Sequence, residues 1–192
     1  MNKQKIYLGF DISTTCIGIS LFDEQGSLIK VEHLVLKADK DVLPEHRIFA
    51  KANMFKSFIQ KFKEYEVVKI FIEEPLVMSN NINTSNLLMK FNGICSYILL
   101  NDLLVIPDYI SVYNIRLALC PELVRTEIKK GIQKNILSFP KDIKGKEYIF
   151  TKIQTIFKDI DWVKDKKGEL SKYNYDMSDA IAVGLAGLKI YK

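Results

Sequence analysis

The chain has 192 residues, enough for one domain and too few for a two-domain kinase, a large repeat array or a (β/α)₈ barrel of the ordinary ~250 residues. Apolar residues make up 48%, which supports a core and excludes wholesale disorder. The formal net charge of +5 is mild and does not by itself mark a nucleic-acid binder.

Lys5–Ser13 and Thr15–Phe22 read as strands, rich in Ile, Tyr, Phe and Leu, and Asp23-Glu24-Gln25-Gly26 as a turn. Ser27–Leu36 alternates with Leu28, Val31, Leu34 and Leu36 apolar, which predicts a third strand and an antiparallel meander. Pro44 opens a helix whose Ile48, Ala52, Phe55, Ile59 and Phe62 form one stripe. Val67–Ile72 is a short apolar run after that helix, the pattern of a buried parallel strand, and Pro75 stops it. Thr84–Leu100 reads as a helix with Leu87, Phe91, Ile94 and Ile98 on one face, and Tyr109–Tyr113 as a fifth strand. From Pro121 the pattern reads as helical and basic, interrupted by Pro140 and Gly145. Lys146–Phe157 is a helix, Asp161–Asn174 a charged loop, and Asp176–Lys189 a final helix. This order predicts an α/β fold over residues 1–192 as a single domain. Its sheet is five-stranded and mixed, a three-strand antiparallel meander plus parallel strands, with helices on both faces.

Three scattered cysteines, Cys16, Cys95 and Cys120, argue against a disulfide framework and for a reducing cytoplasm. His33 and His46 lie far from any cysteine, so no zinc spacing exists. No stretch approaches ~18 uninterrupted apolar residues, and none is expected to span a membrane; Ile94–Ile106 is broken by Ser96, Asn101 and Asp102. The N-terminal MNKQKIYLGFD does not have the pattern of a secretory signal.

The charge is unevenly placed. Residues 1–124 hold 13 Lys and Arg against 14 Asp and Glu, whereas residues 125–172 hold 13 against 7. A localised basic stretch is the footprint of a protein that tracks phosphates, although a solvated lysine-rich surface has the same composition.

Four acids stand out from the rest. Asp11 interrupts an apolar strand, where an unpaired carboxylate is costly. Glu73, with Glu74 beside it, ends the run VVKIFI, and ligand sites of open α/β sheets gather at such ends. Asp176 and Asp179, three residues apart, share one face at the start of an otherwise apolar helix. These three places have structural alternatives: Asp176 as an N-cap, Glu74 as a loop residue, Asp11 as a paired buried acid. Together they suit hard divalent cations, and two such ions clamp the attacking and leaving oxygens of an in-line phosphoryl displacement.

The motifs carrying these acids resemble those of the RuvC family of Holliday-junction resolvases, within the RNase H-like nucleases. LGFDISTTCIGISLF is similar to the family's first hairpin, with its catalytic Asp at Asp11. IFIEEPL resembles the strand bearing the catalytic Glu, here Glu73, and NTSNLLMKFNGI the helix that follows. GKEYIFTKIQTIF resembles the basic helix near the junction, with Lys146 at the position of a DNA-contacting lysine. YDMSDAIAVGLA resembles the closing helix, landing on Asp176 and Asp179. The resemblance implies an RNase H-like fold, a homodimer, Mg²⁺ or Mn²⁺ (two ions per site) held by Asp11, Glu73, Asp176 and Asp179, and paired nicks in branched DNA leaving 5′-phosphate and 3′-hydroxyl ends. Lys90, Lys144 and Lys152 join Lys146 as candidate DNA contacts, and the helix Thr84–Leu100 is the candidate dimer interface.

The chain also departs from the family pattern. Ser13 replaces a usual Gly, Leu76 stands where relatives place a junction-probing aromatic, and Asn92 replaces a common basic residue. The Lys-, Ile- and Asn-rich composition fits a phage-borne or low-GC bacterial member. Other readings stay open: a nuclease of this fold acting on RNA or non-junction DNA, a catalytically dead DNA-binding scaffold, or an actin-like ATPase fragment, since Asp11-Ile12-Ser13-Thr14-Thr15 resembles a D-x-G-T-T phosphate motif.

Overall fold

The computed structural model describes residues 3–39, 41–75, 82–129 and 132–191; Leu76 lies outside them. The strands β1 (Lys5–Ile12), β2 (Cys16–Phe22) and β3 (Leu28–Val35) form the antiparallel meander. β4 (Glu66–Glu73) pairs parallel with β1, and β5 (Asp108–Ile110) parallel with β4, so the sheet runs β3-β2-β1-β4-β5. Ser13 shapes the β1–β2 turn: its Oγ accepts from Cys16 N–H (3.1 Å) and donates to the Cys16 carbonyl (2.7 Å). Among the described non-glycine residues only Leu104 has a positive φ, so nothing at position 13 calls for glycine.

Strand alternation sorts the two faces. Ile6, Leu8, Phe10 and Ile12 point to one side. There they pack with Ile48, Phe55 and Ile59 of α1 (Pro44–Ile59) and Phe91, Cys95 and Leu99 of α2 (Ile82–Leu103). Tyr7 and Phe71 point to the other side. They meet α3 (Val112–Leu119), α4 (Gly145–Ile156) and α5 (Tyr173–Tyr191) through Ile115, Ile153 and Ile181. Asp11 stands four residues beyond Tyr7, and Glu73 two beyond Phe71, so alternation puts both acids on this second face.

Three stretches differ from the sequence expectation. The fifth strand ends at Ile110, because the Ser111 side chain accepts the Asn114 N–H (3.3 Å) and caps α3. Beyond a single 3₁₀ turn at Pro121–Leu123, the stretch after Pro121 is not helical. It forms a hairpin of β6 (Val124–Lys129) and β7 (Ile132–Leu137), in which Val124, Thr126 and Ile128 alternate with charged residues. The last helix starts at Tyr173, so Asp176 lies in its first turn and is not its N-cap.

Helix α5 lies unusually close to the sheet. A Cβ at Gly18 would collide with the Asp176 carbonyl, and one at Gly9 would stand 2.6 Å from the Ala180 carbonyl oxygen. Ser20 Oγ donates to that same Ala180 carbonyl (2.7 Å), tying helix to sheet. Gly18→Ala is therefore expected to cost ~1–3 kcal/mol or more in chemical denaturation. Gly93→Ala, on an open face of α2, should instead gain ~0.5–1 kcal/mol. Equal effects at the two positions would contradict the close approach.

Candidate active site

Asp11 pairs in register with Gly18, the residue against which the Asp176 backbone rests. On its other side β1 runs parallel to β4, with Phe10 opposite Ile72, so Glu73 ends the neighbouring strand beside Asp11. The first turns of α5 bring Asp176 and Asp179 over this point. Burial raises the Asp11 pKa well above the ordinary carboxylate value, and the charges of Asp179, Glu73 and Asp176 raise it further. Burial, then Asp179, pushes Glu73 up to about 7, against the pull of Lys146 and Arg116. Burial also raises Asp179 and Asp176. Glu74 is exposed, and its N–H donates to the Ile110 carbonyl (2.9 Å).

The structure thus gathers all four acids at one end of the sheet. They do not close on one point: among the described residues no group of three or more His, Cys, Asp or Glu side chains is arranged to hold a metal ion. As hard oxygen donors that repel one another, they nonetheless match the chemistry of a hard divalent cation.

Lys146, in the first turn of α4, reaches Asp179 Oδ2 at 3.2 Å. Burial opposes its charge, but Asp179 and Asp11 outweigh that and raise its pKa. Lys144 is exposed just before α4. Lys152 is bound to Glu122 Oε1 at 2.8 Å, and Lys90 is exposed on α2, across the sheet from the acids. Neither joins the cluster.

Three residues near the acids were not among the site candidates read from the sequence. Burial, and then the Asp176 carboxylate, push the Cys16 thiol well above its ordinary pKa. Asn92 is buried, its Nδ2 donating to the Leu88 carbonyl (3.1 Å) and toward that of Ile12 (3.4 Å), so it braces β1 beside Asp11. Arg116 lines a cavity of about 50 Å³ with Glu73, Lys146 and Asp179.

No family model and no curated protein matches the sequence. Among solved structures, Thermus thermophilus RuvC in complex with a Holliday junction substrate aligns over 95% of this chain and 91% of its own, at 12% identity and a TM-score of 0.59. The fold is RuvC-like. A second Thermus thermophilus RuvC structure aligns over 94% and 92%, at 14% identity and a TM-score of 0.55. At such identities the likeness concerns the fold.

The raised Glu73 pKa sets a pH dependence. Between the ordinary 4.5 and about 7 the folded state binds more protons than the unfolded one, so stability falls as pH rises through that window. In EDTA the wild type should lose stability between about pH 5 and 8, and Glu73→Gln should remove ~1–3 kcal/mol of that loss. Identical profiles for the two proteins in thermal denaturation would contradict the assignment.

Proposed function

We propose that this chain, as a single RuvC-like nuclease domain, is a metal-dependent, structure-selective endonuclease. It resolves four-way junctions or other branched DNA by paired nicks that leave 5′-phosphate and 3′-hydroxyl ends. The observation that carries this is the gathering of Asp11, Glu73, Asp176 and Asp179 at one end of the sheet, on a fold shared with a RuvC solved in complex with a Holliday junction substrate. Asp11, Glu73, Asp176 and Asp179 would hold Mg²⁺ or Mn²⁺, two ions per site. Bound there, such ions supply an activated water and charge stabilisation at the leaving oxygen. Lys146 neutralises phosphate charge beside the acids, and Lys144 and the basic stretch over residues 125–172 follow the backbone.

Paired nicks call for two copies. Helix α2 covers the sheet with Phe91, Cys95 and Leu99 and leaves Met89, Tyr97 and Leu100 exposed, which supports a homodimer through that helix. The free, buried Cys16, Cys95 and Cys120 suit a reducing cytoplasm, and no described helix is long and apolar enough to cross a membrane.

With Mg²⁺, the wild type should cut a synthetic four-way junction symmetrically and spare a linear duplex. Asp11→Asn and Asp179→Asn should each lose roughly 10³-fold or more in rate while junction affinity changes little. Preferential cutting of RNA hairpins or flaps would favour a different nuclease of the same fold, and near-wild-type cleavage by Asp11→Asn would overturn the site.

A further inference from the structure

Asp11, Gly18 and His33 stand opposite one another in β1, β2 and β3, so they form one row on the α5 face of the sheet. Each member of the row meets the start of α5 differently. Asp11 joins the acids, and Gly18 leaves room for the Asp176 carbonyl. His33 stacks on Tyr173, the first residue of α5, with ring centroids 5.1 Å apart and an interplanar angle of 15°. Tyr173 lies three residues before Asp176 and therefore on the same side of the helix.

The His33 imidazole makes no hydrogen bond or ion pair among the described residues. Burial holds its pKa below the ordinary histidine value, against the charges of Asp176 and Glu32, so at neutral pH it is not a counter-ion for the acids. What it offers α5 is a flat ring face. The chain before α5 is held separately, because Asn174 Oδ1 accepts the Val163 N–H (3.0 Å) and its Nδ2 donates to the Val163 carbonyl (2.8 Å). Asp179 has its own partner in Lys146. Asp176 forms no ion pair among the described residues, and its place depends on the turn that carries it.

We propose that His33 is a positioning residue for the metal site: its ring, stacked on Tyr173, holds the first turn of α5 so that Asp176 stays beside Asp11. This rests on the metal-dependent function proposed above. The role needs an aromatic face and not an imidazole nitrogen, so phenylalanine should serve at position 33 and alanine should not.

The test is Mn²⁺ binding to the DNA-free protein, read by electron paramagnetic resonance. It compares the wild type, His33→Ala, His33→Phe, Tyr173→Ala and the double variant His33→Ala/Tyr173→Ala. The single alanine variants should each weaken binding about 3- to 10-fold, and the double variant no more than either alone. His33→Phe should stay within about twofold of the wild type. Junction cleavage by His33→Ala should need correspondingly more Mn²⁺ and approach the wild-type rate at saturation, with junction affinity on an Asp11→Asn background unchanged. Wild-type Mn²⁺ binding by His33→Ala, additive losses in the double variant, or a loss in His33→Phe equal to that in His33→Ala overturns the role of His33 alone. A wild type that binds Mn²⁺ but cuts no nucleic acid overturns the proposed nuclease and leaves this role standing, and one that binds no Mn²⁺ overturns both.

Discussion

The close approach of α5 to the sheet is the constraint on which the site depends. Gly9 and Gly18 remove the side chains that would hold the helix away, and Ser20 satisfies the Ala180 carbonyl at the contact. Only at that separation do Asp176 and Asp179 come within electrostatic reach of Asp11. A larger side chain on β2 would move two of the four acids at once.

Gathering these acids opposes folding, since each is desolvated and each raises the proton affinity of its neighbours. The surrounding packing makes that tolerable. Two apolar layers, one under α1 and α2 and the other under α3, α4 and α5, hold the sheet from both sides. Lys146 and Arg116 offset part of the repulsion, in different ways: the lysine is paired with Asp179, and the arginine is held on an aromatic ring.

Much of this was legible in the sequence. The meander and the β4 run showed as apolar periodicity, and Asp11 and Glu73 stood out because they end or interrupt that pattern. What stayed hidden arose where local and tertiary signals conflict. Tyr109–Tyr113 has strand-forming residues, but the Ser111 cap turns the chain into α3, and Arg116 was hidden with it. The charges in Val124–Lys129 masked a period of two. Asn92 stands where the family pattern has a common basic residue, yet its amide is buried against the end of β1.

The acids come from the first strand, the fourth strand and the last helix. The sheet and its α1–α2 layer involve only residues up to Ile110, whereas the opposite layer waits for α5. During synthesis the charged cluster is therefore completed only once the last helix has emerged, and a chain ending at Ile110 carries its five strands with only two of the four acids.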